Sequence, residues 1–314
     1  MFKKEDSLNK NMATLLFGRL IFDKKQKEPV DKNEIIKERK GFLLKIINFR
    51  KDINKLLKES SADYYIKQGR WCFAGIKSND DYIYGKLVKE KSCERIKRDE
   101  EKEDYIPNKD TESRVSFFLI DFKKNIIAYE SKKEVGEKAP IVIIQNAFNS
   151  NFQGQVSLEI NIIKDKRKII ERMKKFSVID YVEMNVSPTN PDSTDNSDKM
   201  DEFLNTENIK KLKLQAYFRE DGFNPKKEGL IKSGFALAQE GYGSASAKGK
   251  YEPKEKIKGE KPKKIEKEKI SVGDIPIKSY VDLDFKKDTL NIKKLLEEIK
   301  NILKRLEEKI SNEN

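Results

Sequence analysis

Glu159 and Glu183 stand at the polar positions of two segments that alternate apolar and polar residues, Val156 to Ile163 and Val178 to Val186. Were those segments neighbouring strands, the two carboxylates could share a divalent cation, and a carboxylate–metal nuclease is one chemistry this leaves open. Neither strand supplies the lysine such a nuclease would use; Glu252-Pro-Lys254 has the right letters on an irregular stretch. Phosphate-cradling glycines fare no better. Gly241-Tyr-Gly-Ser-Ala-Ser246 has serine where a dinucleotide fingerprint needs its third glycine. It also follows a predicted helix and enters a strand, the reverse of the required order. Gly243 to Lys250 is one residue too long for a phosphate loop, and Tyr251 replaces the magnesium-binding hydroxyl. These glycines predict a backbone turn.

Composition removes most other catalysis. The chain has no histidine, so it lacks the usual general base near neutral pH and the commonest metal ligand. Cys72 and Cys93 are two lone thiols without zinc spacing, a usage that fits a reducing cytoplasm. No catalytic residue, cofactor or metal is assigned. No segment reaches the roughly 18 apolar residues of a membrane span, and no signal peptide opens the chain. The expectation is a cytoplasmic protein without membrane insertion.

Charge is what remains. The formal net charge is +13, with 67 basic residues of which only 11 are arginine. That excess suits a polyanion such as nucleic acid, although lysine bias from an AT-rich genome gives the same profile. Clustering decides more than the total. Residues 248–269 carry ten lysines and five glutamates, broken by Pro253, Pro262 and Gly259, and read as an arm. Its candidate phosphate contacts are Lys248, Lys250, Lys254, Lys256, Lys258, Lys261, Lys263 and Lys264. Such contacts follow charge without reading bases. Trp71, Tyr82 and Tyr84 are candidate stacking platforms, although aromatics on paired strands more often pack across the ladder. A sheet face carrying Glu159, Asn161, Tyr181, Glu183 and Asn185, with Gln215 and Tyr217 from a third strand, holds two acids and suits RNA poorly.

The elements that must position these residues are α/β (α+β) in class. Residues 1–150 predict an N-terminal domain. It has an apolar strand over Ala13–Phe22, a long helix from Asp31 to about Ser60, and an antiparallel meander over residues 70–130. A charged insertion at 89–112, with seven basic and nine acidic residues, interrupts it as a solvated excursion. Residues 151–251 predict a β-α-β-α-β-α-β unit with a mixed sheet. Its first helix carries Ile169, Ile170, Met173 and Phe176, and Asn224-Pro225 opens its last. The lysine-rich arm occupies 252–274, and 275–314 hold a final strand and a heptad helix. The seam Ile292, Leu296, Ile299, Leu303, Leu306 and Ile310 steps 4, 3, 4, 3, 4, widened by Leu295 and Ile302. It fits docking on the chain's own core or pairing in a homodimer.

Ser116-Phe-Phe-Leu-Ile-Asp121 is followed about forty residues later by the strand–helix–strand from Val156 to Pro188, then a proline loop and a basic C-terminal part. The pattern, over about half the chain, resembles prokaryotic phage-exclusion proteins of the lambda Rex A-component type. The resemblance implies a cytoplasmic, non-enzymatic DNA-binding sensor in antiviral defence, working with a separate effector protein. It carries over no catalytic residue. The leading expectation is non-specific binding of nucleic acid, DNA in particular. The alternatives are an adaptor subunit paired through its C-terminal helix and the carboxylate–metal nuclease.

Overall fold

The computed structural model describes residues 12–24, 32–48, 53, 67–99, 104–152, 156–165, 176, 178–190, 199–219, 222–223, 229–250, 267–271 and 276–307. Its strands are β1 (Met12–Lys24), β2 (Arg70–Ser78), β3 (Tyr82–Asp99), β4 (Asp104–Asp121), β5 (Ile126–Glu130), β6 (Val156–Ile162), β7 (Val178–Val186), β8 (Leu212–Tyr217), β9 (Gly243–Lys250), β10 (Lys267–Ser271) and β11 (Lys278–Asp282). Its helices are α1 (Lys32–Ile47), α2 (Ala139–Asn151), α3 (Lys199–Thr206), α4 (Leu230–Gln239) and α5 (Asp288–Glu307). The class is α+β. Two compact units emerge, one of residues 1–16, 22–160 and 278–299, the other of 17–21, 161–277 and 300–314.

The first sheet runs β11-β1-β5-β4-β3-β2, and β6 also pairs with β1. β1 is interior, which explains apolar residues on both of its faces: Leu15, Leu16, Phe17 and Phe22 are all buried. The expected meander forms from β2 to β5. Asn79 shapes its first turn by accepting the Asp81 and Tyr82 N–H groups at 2.9 and 3.0 Å. The charged insertion does not interrupt the meander. It prolongs β3 and β4 in unbroken antiparallel register from Lys89↔Arg114 to Asp99↔Asp104. This pairing satisfies the backbone groups of the two strands through their ladder.

α1 spans Lys32–Ile47, and most of the stretch from there to Ser60 lies outside the described residues. The helix buries Leu43, Ile46 and Ile47, and Phe42 meets α2 edge-on, with ring centroids 6.2 Å from Phe148 and 4.6 Å from Phe152.

α5 is held at its first turn. The Asp288 carboxylate lies 2.8 Å from Lys86 Nζ and 3.4 Å from Lys77 Nζ, and it accepts the Tyr84 hydroxyl at 3.1 Å. Lys86 also donates to Phe285 O at 3.2 Å and lies 4.6 Å from that ring's centre. Burial raises the Tyr84 hydroxyl far above its ordinary value. Burial also acts to raise Asp288, but the Lys86 and Tyr84 contacts outweigh it and hold the carboxyl below its usual range. Further along, α5 buries Ile292, Leu295, Ile299, Ile302 and Leu306, while Leu296 and Leu303 are half-buried at the flank. The seam is therefore phased on Leu295 and Ile302, and the helix docks on its own chain. Ile310 lies outside the described residues.

In the second unit the sheet order is β10-β9-β7-β8, and its pairings are antiparallel throughout instead of mixed. β6 is not part of it, because β6 pairs in the first sheet. The helix expected around Ile169, Ile170 and Met173 lies outside the described residues, as does Asn224-Pro225; α4 begins at Leu230. Against one face of this sheet, Val182, Met184 and Val186 pack with Met200 and Leu204 of α3, Phe235 and Ala238 of α4, and Ala245 and Ala247 of β9. The small residues are steric necessities. A Cβ on Gly234 would lie 2.5 Å from Met184 Sδ. A bulge between Ile179 and Tyr181 shifts the alternation, so Ile179 is buried where Val178 was expected.

Candidate nucleic-acid interface

The other face of the second sheet carries the residues of interest, and the register arranges them in rows. Lys269, Lys248, Tyr181 and Tyr217 form one row across β10, β9, β7 and β8. The next is Ser271, Ser246, Glu183 and Gln215, and beyond it lie Ser244, Asn185 and Lys213. β8 explains its own exposure. It is an edge strand, and with its flanks it alternates so that Lys211, Lys213, Gln215, Tyr217 and Arg219 are all exposed while Leu212, Leu214 and Ala216 are turned toward the core side.

Within this face Tyr217 is the outlying feature, 80% exposed although it is a large aromatic. Its ring leans on Tyr181, centroids 4.9 Å apart at 51°, and Tyr181 is itself covered from the other side by Lys248 Nζ at 4.9 Å. Burial, reinforced by Glu183, raises the Tyr181 hydroxyl above its ordinary value, so it stays a neutral donor and hydrogen-bonds to Glu183. Glu183 further accepts Gln215 Nε2 at 3.2 Å and lies 3.9 Å from Lys213 Nζ. The acid is thus met by donors from its own strand and from β8.

Other sequence candidates resolve differently. Glu159 lies on β6 in the first sheet and Glu183 on β7 in the second, so the strand pairing that would have brought the carboxylates together does not form. Asn161 leaves the face with it. Among the described residues, no group of three or more acidic or thiol side chains could hold a metal ion. Trp71 and Tyr84 are fully buried and cannot offer a ring to a base. Trp71 is covered by Lys89 Nζ at 5.6 Å, and burial lowers that lysine's pKa.

The glycine turn is a packing device. Gly241, at φ +94°, leaves no room for a Cβ, which would meet Arg19 Cβ at 2.5 Å. Buried Arg19 in turn donates to Glu240 O at 3.1 Å and lies 5.0 Å from the Tyr242 ring centre.

The lysine arm is anchored at both ends. Lys248 and Lys250 belong to β9, and Lys267 and Lys269 belong to β10 and face them in register. The remaining candidates, Lys254, Lys256, Lys258, Lys261, Lys263 and Lys264, lie outside the described residues. The row across β8 was the least visible part of the site. Lys211, Lys213 and Arg219 share the every-second-residue phase of Tyr217, and that alternation is the sequence signal that marks them.

Fold and face together define an α+β protein of two units, the second an antiparallel sheet packed on one side and presenting cations and the exposed Tyr217 on the other. Residues 33–274, most of the chain, match the model of the family described as Domain of unknown function (DUF4747), and the protein belongs to that family. No curated protein matches the chain.

Proposed function

We propose that this protein binds nucleic acid, DNA in particular, through phosphate contacts made by the lysine hairpin of β9 and β10. One observation carries the reading. The register sets Lys248 opposite Lys269 and Lys250 opposite Lys267, while Glu268 falls opposite Gly249. Lysines repeated in register along the two strands offer cations to a phosphate backbone. The overall charge of +13 supports the same ligand class. The binding is non-specific, because lysines that follow phosphates carry no base information. The resemblance to phage-exclusion proteins extends the proposal to a sensor in antiviral defence that acts with a separate effector.

Fluorescence anisotropy with a labelled DNA duplex tests the proposal. Affinity should be measurable at low ionic strength and fall steeply toward physiological salt, and changing Lys248, Lys250, Lys267 and Lys269 to alanine should weaken it markedly. Absence of binding at low salt sinks the proposal.

A further inference from the structure

We infer that Tyr217 and the cations beside it form a stacking site for single-stranded nucleic acid on the open face of β7, β8 and β9. The ligand class rests on the proposed function, but the site and the strandedness do not. Cations alone on an edge strand have a sufficient explanation, since charged residues there discourage edge-to-edge association. That explanation does not reach Tyr217, which exposes 80% of its surface on the same strand. Its ring is supported by Tyr181 at 4.9 Å, so one aromatic face is braced and the rest is open.

Several of the described residues along its strand and row are cations. Lys213 follows the strand on one side and Arg219 on the other, at two positions each from Gln215 and Tyr217, and Lys248 lies across Tyr181 in the same row. Glu183, the one acid in the described rows, is engaged by Tyr181, Gln215 and Lys213. An exposed ring flanked by cations at strand spacing matches a single strand, whose bases are free to stack while its phosphates run alongside. A duplex keeps its bases stacked on one another and offers Tyr217 nothing.

The test uses the full chain and four probes of equal length: oligo(dT), oligo(U), a duplex and an abasic single strand. Tyr217→Ala should weaken oligo(dT) or oligo(U) binding by roughly tenfold or more, the usual effect of losing one stacked base. It should leave duplex and abasic binding unchanged, and Tyr217→Phe should restore the single-strand affinity. Whichever of oligo(dT) and oligo(U) binds more tightly identifies the natural strand. Tyr217→Trp adds an exposed reporter to a chain whose only tryptophan, Trp71, is buried. Its emission should be quenched by oligo(dT) and not by the abasic strand. Equal affinity of wild type for the abasic strand and oligo(dT), or a Tyr217→Ala variant that binds oligo(dT) like wild type, overturns the stacking site while duplex binding by the hairpin stands. Failure of all four probes to bind overturns both.

Discussion

Asp288→Asn isolates the contact that seats the last helix. Lys86 and Asp288 leave only 11% and 17% of their side chains exposed, so each depends on the other to be buried as an ion. The substitution removes the charge that receives Lys86, Lys77 and the Tyr84 hydroxyl. A hydrogen bond to a charged group stabilises by about 1.5–3 kcal/mol, and an acid in the first helical turn adds about 0.3–1 kcal/mol. Stripping a buried pair of one partner can cost about 3–5 kcal/mol, but Lys86 keeps the Phe285 carbonyl and two aromatic neighbours. The expected loss is therefore about 2–4 kcal/mol.

Urea unfolding followed by Trp71 fluorescence measures it, because that single buried tryptophan belongs to the same unit. In a cycle with Lys86→Met the double variant should be more stable than additivity allows, by about 1 kcal/mol or more. The folded pKa of Asp288 lies below its unfolded value near 3.8. Its stabilisation is thus complete above the unfolded value and is lost as pH falls through the folded one. Asp288→Asn should flatten that acid limb. A loss under about 0.5 kcal/mol, or strict additivity with Lys86→Met, refutes the coupling.

Leu295→Ala, at a fully buried position, should cost about 2–5 kcal/mol by the same urea assay, and Leu296→Ala, at a half-buried one, distinctly less. The reverse ranking, accompanied by a lower sedimentation coefficient, would show instead that the helix pairs two chains. Gly243→Ala places a Cβ 2.2 Å from Asn185 O at φ +152°, so it should destabilise the second sheet by at least about 1–3 kcal/mol in thermal melts. A variant as stable as wild type contradicts the packing described for that turn.

Local patterns were legible where one residue's neighbours in sequence decide its environment. The alternation from Leu212 to Tyr217 places that edge strand, and the apolar run of β1 announces an interior one. Partner choice was not legible, because pairing is a long-range property. β6 alternates just as β7 does, yet it joins β1 and carries Glu159 away from Glu183. The extension of β3 and β4 was hidden because its sequence is dense in charge and shows no apolar alternation, while the pairing is read only from the register. The bulge beside Asp180 shifted the phase of β7, and nothing in Val178-Ile-Asp-Tyr181 marks it. On α5 both Leu295 and Leu296 complete a heptad step from Ile292 or Ile299, so only packing selects the seam. For the candidate site, the lysines and tyrosines were visible individually, but the rows that join them exist only in the register.

The salt dependence of duplex DNA binding, compared between the wild-type protein and a variant with Lys248, Lys250, Lys267 and Lys269 all changed to alanine, tests the proposed function most directly. Each phosphate contact contributes about −0.9 to the slope of log K against log salt. The wild-type slope should be steep, and the variant's should be shallower by about two to four units, with helical and strand content unchanged by circular dichroism. A wild-type slope near zero, or identical slopes for the two proteins, would contradict a phosphate-binding hairpin on this sheet.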